Sequence, residues 1–372
     1  MKPGKLIDKR LIKNIDLGII VSVLCLITVG VIAITSATGI AYGSSFNYIK
    51  IQTIAFFLGI ISIVIILFFD YNTFGEMDKI IYAVNILLLV AVLVFGKSIK
   101  GSKSWMIIGP LSFQPSEIVK IGFILTFAKQ LEKKGENLNS FKGLIHLMLY
   151  LLPILALILR QPDFGTGLVF VFFTFFMLYA AGLNYKYIIA VTSAGIISIP
   201  ALWFYYLKPY QKHRILVFLN PELDPLGSGY HVIQSKIAVG SGQFLGKGLF
   251  KGTQNNLGFI PERHTDFIFS IIGEEFGLIG SLIVILLFFW LIMRCMYIAK
   301  ISKDYYGKYI TIGIMAMFLF HILENVGMTM GIMPVTGIPL PFISYGGSSL
   351  LTNMIAIGIV LNVGMRRQII RF

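Results

Sequence analysis

The sequence predicts an all-α integral membrane protein of about ten transmembrane helices, with one long extracellular loop between helices 7 and 8 and a re-entrant Pro/Gly-rich loop before helix 10. Three observations predict this class. Of the 372 residues, 56% are hydrophobic and only 13% charged, with a mean hydropathy of +0.84, where a soluble chain carries about 25% charged residues. Ten apolar runs approach the roughly 20 residues that cross a hydrocarbon core: 17–37, 48–69, 79–95, 115–131, 143–159, 166–183, 185–206, 267–293, 309–332 and 348–365. The remaining charge is lopsided, 31 Lys plus Arg against 17 Asp plus Glu, so the polar segments between spans are basic and suit anionic headgroups or phosphorylated ligands. These numbers exclude a string of soluble domains. Cys25 inside an apolar run and Cys295 at the end of another are the two cysteines, which excludes a disulfide framework. No nucleotide-binding fingerprint and no metal-ligand spacing occurs, so residues 1–372 read as one polytopic membrane domain with no nucleic-acid partner.

The first span is too long for a cleaved signal and lacks a small-residue cleavage site. Lys2, Lys5, Lys9, Arg10 and Lys13 precede it, and Arg366, Arg367 and Arg371 follow the last span. Both termini are therefore expected in the cytoplasm, as an even number of spans requires. The basic connections at 129–142 and 294–308 fall inside with them. Trp105, in an outward loop beside Lys100 and Lys103 before the fourth span, reads either as an interfacial anchor or as a platform for a ligand. The fourth span is the least apolar because it carries Glu117 and Lys120, three residues apart and so on one helix face. Ionisable groups at membrane depth mark a pathway, a partner or a cavity. This pair reads either as a neutralised structural link or as a substrate contact. Between spans 5 and 6, Arg160 to Gly167 form a Pro- and Gly-broken corner in which Arg160 and Asp163 are close enough to pair.

The segment at about 207–266 departs from the charge rule: it lies outside yet carries Lys208, Lys212, Arg214, Lys236, Lys247, Lys251 and Arg263. It is either an ordinary solvated loop or a basic surface for an anionic ligand at the outer leaflet. Within it, glycines at 240–252 would let backbone amides approach an anion, with Lys247 and Lys251 neutralising phosphate charge. At 261–270 a polar run feeds the eighth span, which makes Thr265 an expected N-cap and puts Asp266 in the first helical turn. Asp266 then either complements the helix dipole or, beside Arg263 and His264, accepts a proton from a hydroxyl nucleophile. In the ninth span His321 and Glu324 share a face and read as a buried pair. Three prolines and several glycines make 331–349 non-helical, which at membrane depth is tolerated where the backbone lines a cavity.

These residues together resemble the SEDS family (shape, elongation, division and sporulation), and within it the rod-shape branch more than the division branch. The resemblance rests on Gly-Ser-Lys-Ser-Trp at 101–105, Phe-Gln-Pro-Ser-Glu-Ile-Val-Lys at 113–120, Gln-Pro-Asp-Phe-Gly-Thr at 161–166, Pro-Glu-Arg-His-Thr-Asp-Phe-Ile-Phe at 261–269, Asn-Val-Gly-Met-Thr at 325–329 and the Pro/Gly-rich run at 334–349. Further matches at 218–231 and 252–254 extend it over nearly the whole chain.

The resemblance implies a ten-span peptidoglycan glycosyltransferase that polymerises lipid II at the outer face of the cytoplasmic membrane during cell elongation. It implies work with a class B penicillin-binding protein, a transpeptidase, and other membrane proteins of the elongation complex. Asp266 matches the carboxylate on which polymerisation depends, and Trp105 a functionally sensitive position. Glu117, Lys120, Asp163, Gln211 and Arg214 match polar positions around the family's central cavity. On that basis Asp266 is the expected general base, with His264 and Thr265 beside it, and Arg214, Lys247, Lys251 and Arg263 are expected to face the diphosphate leaving group, whose developing charge preorganised cations stabilise. No tightly bound cofactor is expected. A divalent cation, Mg²⁺ or Mn²⁺, would bind jointly with the substrate diphosphate. Two competing readings are a lipid II flippase, which would need polar contacts in both leaflets, and a non-catalytic scaffold of the elongation machinery.

Overall fold

In the computed structural model the described residues are 11, 13–39, 45–99, 102–108, 111–206, 209–225 and 227–367. All ten apolar runs are helices. In chain order the elements are α1 (Leu17–Thr38), α2 (Ser45–Phe68), the short α3 (Tyr71–Glu76), α4 (Asp78–Phe95), α5 (Pro115–Lys134), α6 (Phe141–Arg160), α7 (Phe164–Ala180) and α8 (Tyr185–Ala201), which continues as a π-helical turn to Tyr206. Then come α9 (Pro209–Leu219), α10 (Ser228–Ser241), α11 (Thr253–Asn256), α12 (Ile268–Ile301), α13 (Tyr305–Thr329) and α14 (Gly347–Met365). Among the described residues seven helices, α1, α2, α4, α6, α12, α13 and α14, are long and apolar enough to cross a membrane, and α7 is apolar but shorter. The protein is a multi-pass membrane protein.

The helices start where the sequence supplies caps. Asp16, Ser140 and Asp163 each accept a hydrogen bond from a first-turn amide of α1, α6 and α7, which satisfies amides that a helix leaves without partners. Proline opens α5, where a missing N–H costs nothing. Helix α5 is the least apolar span because it is central: it packs on α4, α6, α7, α13 and α14 and buries Glu117 and Lys120 with its aromatic face. Phe123 there packs against Phe170 and Phe173 of α7, with Phe123 to Phe170 ring centroids 5.5 Å apart, and stacks on Phe127 of its own helix.

Two segments differ from expectation. Strands β1 (Lys97–Ile99), β2 (Ser102–Ile108) and β3 (Leu111–Phe113) form a three-stranded antiparallel sheet in the order β1-β2-β3. The segment 207–266 is helical over α9, α10 and α11, where a plain polar loop was expected. Val232, Ser235 and Ala238 are buried at three-residue spacing along α10, which packs on α12, so that stretch is an amphipathic helix. Residues 330–346, by contrast, contain no helix, as three prolines require. Gly30 of α1 lets this segment approach: a Cβ there would stand 2.8 Å from the backbone of Phe342 and Ile343.

At one end of the bundle Asp16 pairs with Arg294, Asp70 with Arg366 at 3.4 Å, Asp78 with Lys133 at 2.6 Å, and Tyr71 donates to Asp304 at 2.6 Å. These pairs put the first and last described residues at the same end.

Candidate functional site

The run 261–267 folds as a turn wound around a single carbonyl. The Glu262 oxygen accepts the amides of Thr265 and Asp266 at 3.1 Å and of Phe267 at 3.3 Å, and Glu262 itself has φ +49°. This winding delays the helix. α12 begins at Ile268 with Phe267 at the cap and no side-chain cap, so Thr265 is not the N-cap and Asp266 is not in the first turn. The Thr265 hydroxyl donates back to Glu262 at 3.3 Å instead.

Three consecutive carbonyls of this turn are then held from outside it. The Tyr345 amide donates to His264 O at 2.9 Å, the Ser344 hydroxyl to Thr265 O at 2.7 Å, and the Asn325 amide group to Asp266 O at 2.9 Å. Ser344 Oγ also accepts the Leu340 amide at 2.8 Å, and the rings of Tyr48, His264 and Tyr345 cluster with centroids 4.8–5.7 Å apart. A turn with three consecutive carbonyls bonded to partners outside it has little freedom. Asp266 Oδ2 lies over Gly337, where an added Cβ would be 3.4 Å away. Gly337 has φ +76°, a conformation that favours glycine.

Gly337 is also part of the wall of an internal polar cavity of about 40 Å³, which is room for a few waters. Glu117 Oε1 and Lys120 Nζ meet there at 2.7 Å, and Lys120 Nζ lies 3.1 Å from His321 Nε2. An ammonium only donates, so Nε2 accepts and the neutral imidazole carries its proton on Nδ1. Asp163 closes another side, accepting from Gln114 Nε2 at 3.0 Å and from the Thr166 amide at 3.1 Å. Burial pushes the Asp163 carboxyl above its ordinary range, while the hydrogen bonds from Thr166 pull it back. Asp163 therefore caps α7 rather than pairing with Arg160, which is exposed. Nor do His321 and Glu324 pair: Glu324 accepts from Thr336 Oγ1 at 2.7 Å. On the far side of the turn lies an open pocket of about 310 Å³, with Tyr48, Glu262, Arg263 and His264 in its wall. Glu262, Arg263 and His264 of the turn thus line the open pocket, while its Asp266 carboxylate lies over Gly337 of the polar chamber.

The other expected residues are placed as follows. Trp105 is half-buried on β2, in register with Lys97, and the sheet is tied to the Asp163 corner through Ser102 Oγ and the Lys103 amide, both donating to Gln161 O. Arg263 donates to Asn255 O. Lys251 is exposed. The side chains of Gln211 and Arg214 lie outside the described residues. Lys247 differs from expectation: its ammonium is 2.8 Å from the fully buried carboxylate of Glu274, which also accepts Thr253 Oγ1 and the amides of Gln254 and Asn255. Its charge is already neutralised. The nearby glycines have another task as well. α12 breaks at Gly277 (φ 64°, ψ −159°), and residues 243–248 seal the break: Lys247 N and Gly248 N donate to Glu274 O and Glu275 O at 3.0 Å, while Leu278 N donates to Gln243 O at 2.8 Å. These amides are used on the protein itself rather than offered to an anion.

Among the described residues no three His, Cys, Asp or Glu side chains gather as a metal cage. Asn325, Ser344, Tyr345 and Tyr48 were not singled out as site residues by sequence reasoning. An asparagine in an apolar span was the one available signal.

A family model described as "Cell cycle protein" (FtsW/RodA/SpoVE) matches residues 17–369. The peptidoglycan glycosyltransferase MrdB of Escherichia coli (strain K12) is 38% identical over 357 residues, covering 96% of this chain and 95% of that protein. The peptidoglycan glycosyltransferase RodA of Treponema pallidum is 34% identical, covering 96% and 99%. A solved structure described as "Structural coordination of polymerization and crosslinking by a peptidoglycan synthase complex" matches with a TM-score of 0.82 at 31% identity, covering 95% of this chain and 98% of that one.

Proposed function

The chain belongs to the FtsW/RodA/SpoVE family and is a peptidoglycan glycosyltransferase, and we propose that Asp266 is the general base with which it polymerises lipid II at the outer face of the cytoplasmic membrane. The observation that carries this reading is the Asp266 turn itself. Its three anchored carbonyls fix the turn, the Asp266 carboxylate lies over Gly337 in the wall of the polar chamber, and Glu262, Arg263 and His264 of the same turn line the open pocket. A base must be preorganised within hydrogen-bond reach of the proton it takes.

In the step we propose, the Asp266 carboxylate accepts the proton of the GlcNAc 4-hydroxyl on the incoming lipid II. That oxygen bonds to the anomeric carbon of the lipid-linked donor strand, and the bond to undecaprenyl diphosphate breaks, with its electron pair leaving on the diphosphate. Arg214, Lys251 and Arg263 are the proposed partners of that charge. Lys247, bound to Glu274, supports the loop that carries them. Trp105, His264 and Thr265 border the substrate. Glu117, Lys120 and Asp163 shape the polar chamber, and Gln211 is a proposed polar contact to the substrate. No cofactor is held tightly in this reading. A divalent ion, Mg²⁺ or Mn²⁺, would bind together with the substrate diphosphate and would neutralise its charge. The same reading puts both termini in the cytoplasm and a class B penicillin-binding protein beside this chain, alongside other elongation-complex proteins. The structural likeness to a complex that couples polymerisation and crosslinking supports that partner.

The test is reconstitution of the purified chain, with its penicillin-binding partner, in vesicles carrying labelled lipid II. Glycan polymer that is lost on Asp266→Ala is the expected result. Transbilayer movement of lipid II without polymer would favour a flippase, and undiminished polymer from Asp266→Ala would overturn the assignment of the base.

A further inference from the structure

Asn325 lies near the C-terminal end of α13, is fully buried, and uses both amide hydrogens on main-chain carbonyls: Asp266 O at 2.9 Å and Ile338 O at 2.8 Å. Because both neighbours are carbonyls, which only accept, the orientation of the carboxamide is fixed: nitrogen faces them and Oδ1 faces away. Oδ1 is buried and has no hydrogen-bond partner. An unfilled buried acceptor is uncommon and calls for a reason.

The reason offered by the geometry is distance control. Glu324, the preceding residue on α13, accepts from Thr336, while Asn325 donates to Ile338. One helix therefore grips the two residues that flank Gly337, and the same carboxamide grips the residue whose carboxylate lies over Gly337. We propose that Asn325 is a positioning residue for glycosyl transfer: by joining the Asp266 and Ile338 main chains it sets where the Asp266 carboxylate stands relative to Gly337. The other two anchors, Ser344 and Tyr345, belong to the Pro/Gly-rich segment rather than to a helix. Asn325 ties both partners to a helix. This inference rests on the reading of Asp266 as base.

The experiment compares Asn325→Ala, Asp266→Ala, Asp266→Glu and the double variant Asn325→Ala/Asp266→Glu, each purified with the penicillin-binding partner, for polymerisation rate against lipid II concentration and for thermal unfolding in detergent. A displacement of about 1 Å at a reacting group costs on the order of a hundredfold in rate. Asn325→Ala is therefore expected to lower kcat about a hundredfold with KM for lipid II within about twofold. The double variant is expected to be no slower than about threefold below the slower single one, because Asn325 acts only through Asp266. If kcat stays within about threefold of wild type, if kcat and KM change in parallel, or if the two substitutions act additively, the proposal is overturned. Should Asn325→Ala fail to accumulate, Asn325→Ser, which keeps one short donor, is measured by the same criteria; if neither folds, the role is structural and the proposal falls. Full activity in Asp266→Ala sinks the reading of the base, whereas full activity in Asn325→Ala with an inactive Asp266→Ala sinks this inference alone.

Discussion

Replacing Lys120 with methionine removes the only cation that touches Glu117 among the described residues while keeping most of the side-chain volume. The pair is 2.7 Å long, and its members are 2% and 6% exposed, so solvent screens it very little. Breaking a buried pair by removing one partner costs about 3–5 kcal/mol, because the remaining charge loses its compensation without regaining water. His321 Nε2 also loses the donor now 3.1 Å away, which adds about 1 kcal/mol. A loss of about 4–6 kcal/mol should lower the melting temperature in detergent by roughly 8–12 °C, at about 2 °C per kcal/mol for a chain of this size. The double substitution Glu117→Gln/Lys120→Met removes both charges and should recover most of that loss. The assay is thermal unfolding of the three proteins in one detergent, followed by tryptophan fluorescence. A single variant within about 1 kcal/mol of wild type, or a double variant no more stable than Lys120→Met, would refute the reasoning that this pair is a buried, mutually dependent unit.

Two further outcomes follow from the same geometry. Gly277→Ala should destabilise the protein by more than about 3 kcal/mol, because its φ and ψ are accessible essentially to glycine alone and its Cβ would stand 2.4 Å from Gly246 N; expression and melting temperature check this. Asp163 has a folded-state carboxyl raised by burial, so its ionisation is harder in the folded than in the unfolded chain. Its contribution to stability is most favourable below the ordinary carboxylate range and declines as pH rises through the folded value. Asp163→Asn should accordingly gain stability over wild type at neutral pH and lose that gain on acidification, as melting temperatures measured across pH will show.

Much of this was legible because lipid imposes a simple rule: apolar runs of sufficient length are helices, and all ten were. Glu117 and Lys120 were readable as neighbours because three residues on a helix fix their proximity. His321, 201 positions away in sequence, was not, since no local spacing reports a contact between helices. Pairing His321 with Glu324 failed for the same reason: each found a better partner on another element. Thr265 carries the composition of an N-cap, but Glu262 O captures three amides first, and composition does not announce which acceptor wins. The glycines of 240–252 suggested an anion site, yet close approach to the break at Gly277 places the same demand on the backbone. The helices within 207–266 were missed because high polarity and net charge masked the three-residue spacing of Val232, Ser235 and Ala238.

The account turns on a single carboxylate. Asp266→Asn keeps the size of the side chain and the bonds to the main-chain carbonyls of His264, Thr265 and Asp266, and removes the negative charge and with it the ability to accept a proton. Polymerisation of purified lipid II by this variant, shown to unfold at the wild-type temperature and to retain its penicillin-binding partner, is the most direct measurement. A fall in rate of at least about a hundredfold, within the usual contribution of general-base catalysis, is predicted. Glycan synthesis at the wild-type rate would contradict the account.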